Sequence, residues 1–340
     1  MDSRAPEGAT DVASPTSPIP EVMRAMVFDA PGGPDVLHAA EVPTPRPLLS
    51  ELLVRVVAAG TNPIDAKTRA GRGVTAHIPS LPAVPGYDFS GVVVQAPFES
   101  HPLPPGTAVH GMTTFPRTSG SYAEYIVVSS LSVAKIPTSL SHVEAAGVPL
   151  AALTAWGLVV DTARAHEGQR ILIHAGSGGV GHFAVQFAAY FGAQVTATAS
   201  ARNISWLREM GAVEVIDHTS ARFEEEVSDV DVVIDLVGNA ADETGTRSLQ
   251  VLRPGGMIVN VPTGSWPTFL EDAAAAQVRA TTYKVVPDGG ALATIGRLLT
   301  SGAVHVYVDR VFDLAEAAEA HRMLEGGHTR GKVVLRVSDD

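Results

Sequence analysis

The chain has 340 residues, with 24 Lys and Arg against 36 Asp and Glu, and no cysteine. Its length exceeds the roughly 250–300 residues at which a single core stops growing, so two domains are expected. The net charge of −12 disfavours nucleic acid and anionic membrane surfaces as partners. The lack of cysteine excludes disulfides, thiolate nucleophiles and thiolate zinc sites, and it is typical of a reducing cytosol. We therefore expect a cytoplasmic protein.

The first 22 residues are rich in Pro, Ser, Thr, Ala and acids, with one Arg and no apolar stretch. This composition predicts a disordered tail without a secretory signal. From residue 23 to about 140, short apolar runs at 24–28, 51–58, 91–95 and 123–128 alternate with Pro- and Gly-rich turns. The pattern predicts an antiparallel barrel or sandwich.

The texture changes at Ser141, which with Glu144 has the spacing of a capping box. The apolar segment 145–160 is too short for a membrane span and predicts one buried helix. Strands are then predicted at 170–174, 194–199, 213–216, 231–236 and 257–261, with helices at 180–191 and 204–210. Such alternation predicts a parallel sheet covered on both faces. Beyond residue 288 we expect helices at 291–300 and 314–324, a strand near 304–308, and a last strand at 332–337 that returns to the first domain.

A glycine motif, Gly-x-Gly-x-x-Gly, lies between the predicted strand 170–174 and the helix after it. Gly176 allows the tight turn, Gly178 lets the backbone approach a pyrophosphate, and Gly181 lets the helix pack on the strand. With Ser177, Gly179 and Val180 the loop opens the helix, whose N–H groups attract an anion. The motif predicts a dinucleotide site. A glycine-rich turn without a ligand is the alternative, which the surrounding strand–helix alternation disfavours.

The end of the second predicted strand indicates which dinucleotide binds. An NAD site usually has an acidic residue there for the ribose hydroxyl groups, and residues 196–203 contain none. Ser200 and Arg202 instead offer a hydroxyl and a guanidinium, which suit a 2′-phosphate. The expected cofactor is therefore NADP(H).

Seven segments follow one another along the chain in the order that is typical of one known protein family: 60–67, 84–91, 120–125, 146–156, 175–181, 252–256 and 331–335. The chain resembles the medium-chain dehydrogenase/reductase superfamily, in its zinc-independent quinone oxidoreductase branch. The resemblance implies an α/β fold, with a GroES-like β domain (23–140 and 289–340) and a Rossmann doubly wound parallel-sheet domain (141–288). It also implies a homodimer.

The zinc motifs of the superfamily are replaced here. Asn62 or a neighbour stands where zinc enzymes have Cys, and Gly86-Tyr87-Asp88 replaces Gly-His-Glu. The twelve histidines form no His-Glu-x-x-His pair. No metal is therefore expected. Mitochondrial-type enoyl reductases carry a Tyr at the position that Gly73 occupies in this sequence. No tyrosine proton donor is therefore predicted at that position.

Hydride transfer from NADPH without a metal favours an electron-poor small molecule, either a quinone or an α,β-unsaturated carbonyl. The candidates for catalysis are Lys67, to stabilise the oxyanion or hold the ribose, and Tyr87, as a proton donor or a packing residue. Further cofactor contacts follow from the resemblance and the predicted strand ends: Asn62, Asp65, Lys67, Thr154, His218, Val237, Gly238, Val261, Pro262 and Lys332. Alternative functions are an enoyl-thioester reductase of polyketide or fatty-acid type and a non-enzymatic NADPH-binding protein.

Overall fold

The structure is a computed structural model that describes residues 18–116, 120–240 and 242–338. The predicted tail therefore lies outside the described residues except for its last five positions. Residues 18–21 are exposed, and the first strand begins at Val22. Among the described residues, no helix is long and apolar enough to cross a membrane.

The amino-terminal part is built mainly of strands, and its α-helix follows the third strand. Its elements are β1 (Val22–Val27), β2 (His38–Pro43), β3 (Glu51–Thr61), α1 (Pro63–Arg69), β4 (Asp88–Gln95), β5 (Ala108–Met112), β6 (Tyr125–Ser129) and β7 (Val133–Lys135). Strand β3 is its centre, because β4, β6 and the last strand of the chain all pair with it in antiparallel register. Its side chains Leu52, Val54 and Val56 have no exposed surface. This burial explains the apolar run in the sequence.

The middle of the chain alternates helices and strands. Its elements are α2 (His142–Ala146), α3 (Pro149–Trp156), β8 (Arg170–Ile173), α4 (Gly181–Tyr190), β9 (Gln194–Ala199), α5 (Ile204–Glu209), β10 (Glu214–Asp217), α6 (Phe223–Glu226), β11 (Val230–Asp235), α7 (Thr244–Ser248), β12 (Leu252–Asn260), α8 (Phe269–Ala275) and β13 (Arg279–Thr282). The six strands form one parallel sheet in the order β10-β9-β8-β11-β12-β13. This is the doubly wound order of a Rossmann domain, as predicted.

The carboxyl-terminal part returns to the first domain. It comprises α9 (Gly289–Thr300), β14 (Val308–Asp313), α10 (Ala317–Glu325) and β15 (Lys332–Arg336). Strand β15 pairs antiparallel with β3, where Val334 lies opposite Gly60, and parallel with β14. The predicted return of the last strand is therefore confirmed.

Two sequence-based predictions of secondary structure are wrong. The single helix predicted over 145–160 is broken, because Gly147 ends α2 and Pro149 begins α3, and residues 157–162 form a π-helical turn. Proline lacks the N–H that a continuing helix needs, so it starts a new helix instead. The strand expected near 304–308 begins at Val308, because the N–H groups of Ala303 and Val304 donate to the Leu298 carbonyl at the end of α9 and not to a neighbouring strand.

Candidate active site

A cleft of about 560 Å³ separates the carboxyl ends of the parallel strands from α1 and the residues before β15. Ligands of open α/β sheets bind at this edge, at the point where the strand order reverses. Both domains contribute to it. Its lining includes the sequence-predicted Asn62, Lys67, Thr154, Ser177, Gly178, Gly179, Val180, Gly181, Ser200, Arg202, His218, Val261, Pro262 and Lys332.

The glycine loop between β8 and α4 has the geometry of a phosphate cradle. A Cβ on Gly181 would lie 2.2 Å from the carbonyl oxygen of Ala175, so only glycine allows this approach of helix to strand. The backbone N–H groups of Ser177, Gly179 and Val180 have no acceptor within the described part of the chain. They stand at the amino end of a ten-residue helix. Free donors on a helix dipole fit a pyrophosphate.

Ser200 and Arg202 lie in a short 3₁₀ turn after β9, at one end of the cleft. The Arg202 guanidinium donates to the carbonyl of His328, in the segment that precedes β15. Arg330 braces the same turn, with its Nε 2.9 Å from Asn203 Oδ1 and its guanidinium over the ring of Trp206. A cationic turn held by both domains fits a 2′-phosphate.

The opposite end of the cleft has more apolar walls. Thr154 on α3 is buried and donates to the carbonyl of Leu150, while Phe115 and Tyr283 line the same space. Lys67 on α1 is half-buried, and burial together with the nearby Arg72 guanidinium lowers the pKa of its ammonium. No ion pair holds Lys67 within the described chain. A cation at the edge of an apolar space can stabilise negative charge that develops there.

Beneath the cleft, Asp88 connects three elements that line it. Its Oδ2 accepts from Asn62 Nδ2 at 3.0 Å, and its Oδ1 accepts from the backbone N–H of Leu150 at 2.8 Å, in the first turn of α3. Lys332 on β15 lies 3.6 Å from the same carboxylate and also donates to Thr61 and Asn62. Asp88 and Lys332 are almost fully buried. This ion pair therefore joins β4 of the amino-terminal part to β15 of the carboxyl-terminal part at the cleft floor.

Asp65 lies on the other side of Asn62. Its Oδ2 accepts from the backbone N–H of Asn62 at 2.8 Å and from the Tyr122 hydroxyl at 3.4 Å. Its Oδ1 has no hydrogen-bond partner among the described residues. Burial, partly offset by these bonds, raises the pKa of the Asp65 carboxyl to about 7. Asp65 therefore supports the loop that carries Asn62, and it does not line the cleft.

Four other predicted residues lie outside the cleft lining. Tyr87 is 2% exposed, donates to the Pro116 carbonyl at 3.3 Å and packs edge-on against Phe115. Gly176 is buried behind the loop. Val237 and Gly238 form a turn whose N–H groups donate to Asp235, and the preceding Leu236 lines the cleft instead.

Part of the cleft lining consists of residues that the sequence motifs do not predict. These residues are Thr61, Pro63, Ile64, Gly73, Phe115, Leu150, Ala151, Ala175, Ala199, Asn203, Thr219, Leu236, Thr263, Tyr283, Lys284, Val285, Leu324, Gly327, His328, Thr329, Gly331 and Val333. Half of them lie directly beside a predicted residue in the sequence, and for these the adjacent predicted residue is the signal that could have found them. Tyr283 and Lys284 follow β13, a short strand that the sequence pattern did not show.

Comparisons with known proteins agree with this architecture. The family "Alcohol dehydrogenase GroES-like domain" matches residues 49–138, and "Zinc-binding dehydrogenase" matches residues 210–335. The "2-methylene-furan-3-one reductase" of Solanum lycopersicum is 35% identical, and the chloroplastic "NADPH-dependent alkenal/one oxidoreductase" of Arabidopsis thaliana is 33% identical. Each alignment covers 98% of this chain and 84% of the relative.

A solved structure of the quinone oxidoreductase from Coxiella burnetii superposes with a TM-score of 0.88 at 38% identity, covering 93% of this chain and 100% of that one. The chain belongs to the medium-chain dehydrogenase/reductase superfamily. Within it, the chain falls in the branch of quinone and enone oxidoreductases, as the sequence motifs predicted. Despite the name of one matching family, no group of three or more His, Asp or Glu able to hold a metal occurs among the described residues.

Proposed function

We propose that this protein is an NADPH-dependent oxidoreductase that transfers hydride to a quinone or an α,β-unsaturated carbonyl. The observation that carries the proposal is one cleft with a glycine phosphate cradle, a cationic turn at one end and a lysine beside apolar walls at the other. The names of the enone and quinone reductases that it resembles support the same chemistry.

Each part of the cleft has a role in this reaction. The bound cofactor would supply the hydride. The N–H groups of Ser177, Gly179 and Val180 would hold its pyrophosphate, and Ser200 with Arg202 its 2′-phosphate. Thr154, Val261 and Pro262 would position the nicotinamide end, and the apolar walls would exclude water from it.

Lys67 would stabilise the negative charge that develops on the acceptor oxygen. Hydride addition to the β-carbon of an enone makes an enolate, whose oxygen interacts with a cation more strongly than the neutral carbonyl does. Lys67 lines the cleft wall, and no carboxylate of the described residues pairs with it. The enolate then takes a proton. Tyr87 is disfavoured as the donor, because it does not line the cleft, its hydroxyl donates to the Pro116 carbonyl, and burial raises its pKa.

The direct test is NADPH oxidation with a panel of small quinones, enones and alkenals. We expect turnover with these acceptors and a higher kcat/KM for NADPH than for NADH. Arg202→Ala should raise the KM for NADPH about tenfold or more while leaving that for NADH nearly constant, because only NADPH loses a charged hydrogen bond. Equal use of both cofactors by the wild-type protein would contradict the cofactor assignment. The absence of turnover with the whole panel would contradict the proposed reaction.

An enoyl-thioester reductase of polyketide or fatty-acid type shares this fold and cofactor, and it is the second candidate. A "Trans-enoyl reductase" of Aspergillus terreus is 30% identical over 85% of this chain. Adding an enoyl thioester to the panel separates the two functions.

We also propose that the reaction needs no metal, which elemental analysis and chelator treatment of the active protein would check.

We further propose a cytoplasmic homodimer. Its interface would use the free edge of β13, which pairs only with β12 in the described part of the sheet. The nearby Leu270 and Val286 are each 63% exposed. The domain division at residues 141 and 289 stays a prediction, since α9 packs against α3 and β7, one element on each side of that division.

A further inference from the structure

The charged side chains of the cleft are all of one sign. Its lining contains Lys67, Arg202, Lys284 and Lys332, and no Asp or Glu of the described chain lines it. The whole protein has a net charge of −12. A cleft of cations in so acidic a molecule indicates anionic groups in the bound ligands.

Three of the four cations have a partner or an assigned task. Lys332 pairs with Asp88 beneath the cleft, and Arg202 lies at the 2′-phosphate end. Lys67 stands beside the acceptor carbonyl in the proposed reaction. Lys284 remains. Its Nζ contacts only the hydroxyl of Thr263, at 2.6 Å, and it has no ion-pair partner within the described residues.

The position of Lys284 in the sheet separates it from the phosphates of the cofactor. Those phosphates belong at the glycine loop after β8 and at the turn after β9. Lys284 follows β13, which lies three strands from β8 on the side away from β9. Neighbouring strands are about 4.8 Å apart, so this offset is roughly 14 Å. The nicotinamide end of the cofactor has no anionic group for Lys284 to meet.

Apolar side chains line the same cleft as the two lysines. Ile64 and Phe115 come from the β domain, and Tyr283 and Val285 flank Lys284 in sequence. A ligand that reaches both lysines would lie against these side chains. It would have a conjugated carbonyl for Lys67 and the cofactor, an apolar middle, and a permanent anion for Lys284.

From this arrangement we infer that Lys284 is a specificity-determining residue, which binds a carboxylate on the far end of the substrate. The inference rests on the proposed function and narrows its substrate class to conjugated carbonyl compounds that carry an anionic group. Lys284 is exposed, so its ion pair is expected to be modest and sensitive to salt.

The test compares straight-chain trans-enones that end in a carboxylate with their methyl esters, over a series of chain lengths. For the wild-type protein we expect the acid-to-ester ratio of kcat/KM to exceed one at the best chain length and to fall at high salt. Lys284→Met should lower that ratio about threefold to tenfold, mainly through the KM of the acid. Lys284→Arg, which keeps the charge, should restore most of it.

Lys135→Met is the matched control, because Lys135 is exposed on β7 and lies outside the cleft lining. It removes the same charge and should leave the ratio unchanged. An equal fall in Lys135→Met would show general charge steering and overturn the inference. So would a wild-type ratio of one at every chain length, or a loss of NADPH affinity in Lys284→Met in place of the acid effect. Good turnover of esters without acid preference would overturn this inference alone, whereas no turnover of either series would overturn the proposed function too.

Discussion

Lys67 is the side chain on which the proposed chemistry depends most directly. Lys67→Met removes its charge and keeps an apolar stem of similar length. We expect kcat with an enone to fall about tenfold to a thousandfold, in the range of one lost oxyanion contact. Quinones should lose less, because their hydroquinone anion needs less stabilisation.

Comparing the effect of Lys67→Met on kcat with its effect on NADPH affinity distinguishes the two roles predicted for Lys67. If it holds only the ribose, NADPH affinity should fall while kcat at saturation stays nearly constant. Lys135→Met serves here too as a control for loss of charge. An unchanged kcat together with an unchanged NADPH affinity would show that Lys67 takes no part in the reaction.

Asp65 gives a pH dependence whose sign follows from its pKa. Its carboxyl has a pKa of about 7 in the folded chain, against 3.8 as the ordinary value. The folded state therefore keeps this proton between pH 4 and 7 while the unfolded state releases it, so stability from this group is lost as pH rises through that window. Each unit by which the pH rises within that window lowers the free energy of unfolding by up to about 1.4 kcal/mol.

Asp65→Asn removes this proton equilibrium at nearly constant shape. Relative to the wild type, its free energy of unfolding should rise between pH 4 and pH 7, as measured by urea denaturation across that range. A pH-independent difference between the two proteins would contradict a raised pKa of Asp65.

At the scale of elements, the Asp88–Lys332 pair joins β4 and β15, and Asp88 also holds α1 and α3. Lys332→Met would leave a fully buried carboxylate without its cation, which costs about 3–5 kcal/mol of unfolding free energy. Adding Asp88→Asn removes the uncompensated charge. We therefore expect the double variant to be more stable than Lys332→Met alone, and the double-mutant cycle to give an interaction energy of about 0.5–3 kcal/mol.

Arg253→Met provides the comparison for this pair, because its ion pair with Asp231 is partly exposed. Breaking that pair should cost about 1 kcal/mol or less. If Lys332→Met were no more destabilising than Arg253→Met, or if Asp88→Asn gave no rescue, the pair would not hold the cleft elements together.

The sequence predicts these elements unevenly. Local signals suffice for the Ser141 capping box and for the strand–glycine–helix unit around Gly181, both of which the structure contains. The short β13 was missed because Arg279 and Thr282 are exposed and its edge position imposes no apolar run. The network around Asp88 was missed for a different reason. Its members come from four segments, 61–65, 88, 150 and 332, and only the tertiary fold brings them together.

At the scale of the whole molecule, the sequence predicts the two-domain architecture, because the motifs of the superfamily occur in their usual order from residues 60–67 to residues 331–335. The sequence predicts only part of the cleft lining. Gly178 and Arg202 could be placed at strand ends, but Phe115 reaches the cleft through a loop, and Tyr87 lies behind it. Loop conformation and side-chain direction depend on packing that no local pattern encodes.

The exposed edge of the parallel sheet leads to the last prediction, that the chain is a dimer in solution. Within the described sheet, β13 has backbone groups unpaired on its outer side, and such an edge readily pairs with another strand. Leu270 and Val286 add apolar surface near it. Light scattering after size exclusion should give twice the 35.4 kDa mass of the chain. Replacing Leu270 and Val286 together by Arg should give the monomer mass, because two like charges would meet their copies at a twofold interface. Leu49→Arg is the control, since Leu49 is 95% exposed on the turn before β3 and should leave the dimer intact. A wild-type protein of monomer mass, or a dimer that survives both Arg substitutions, would place any interface elsewhere than at β13.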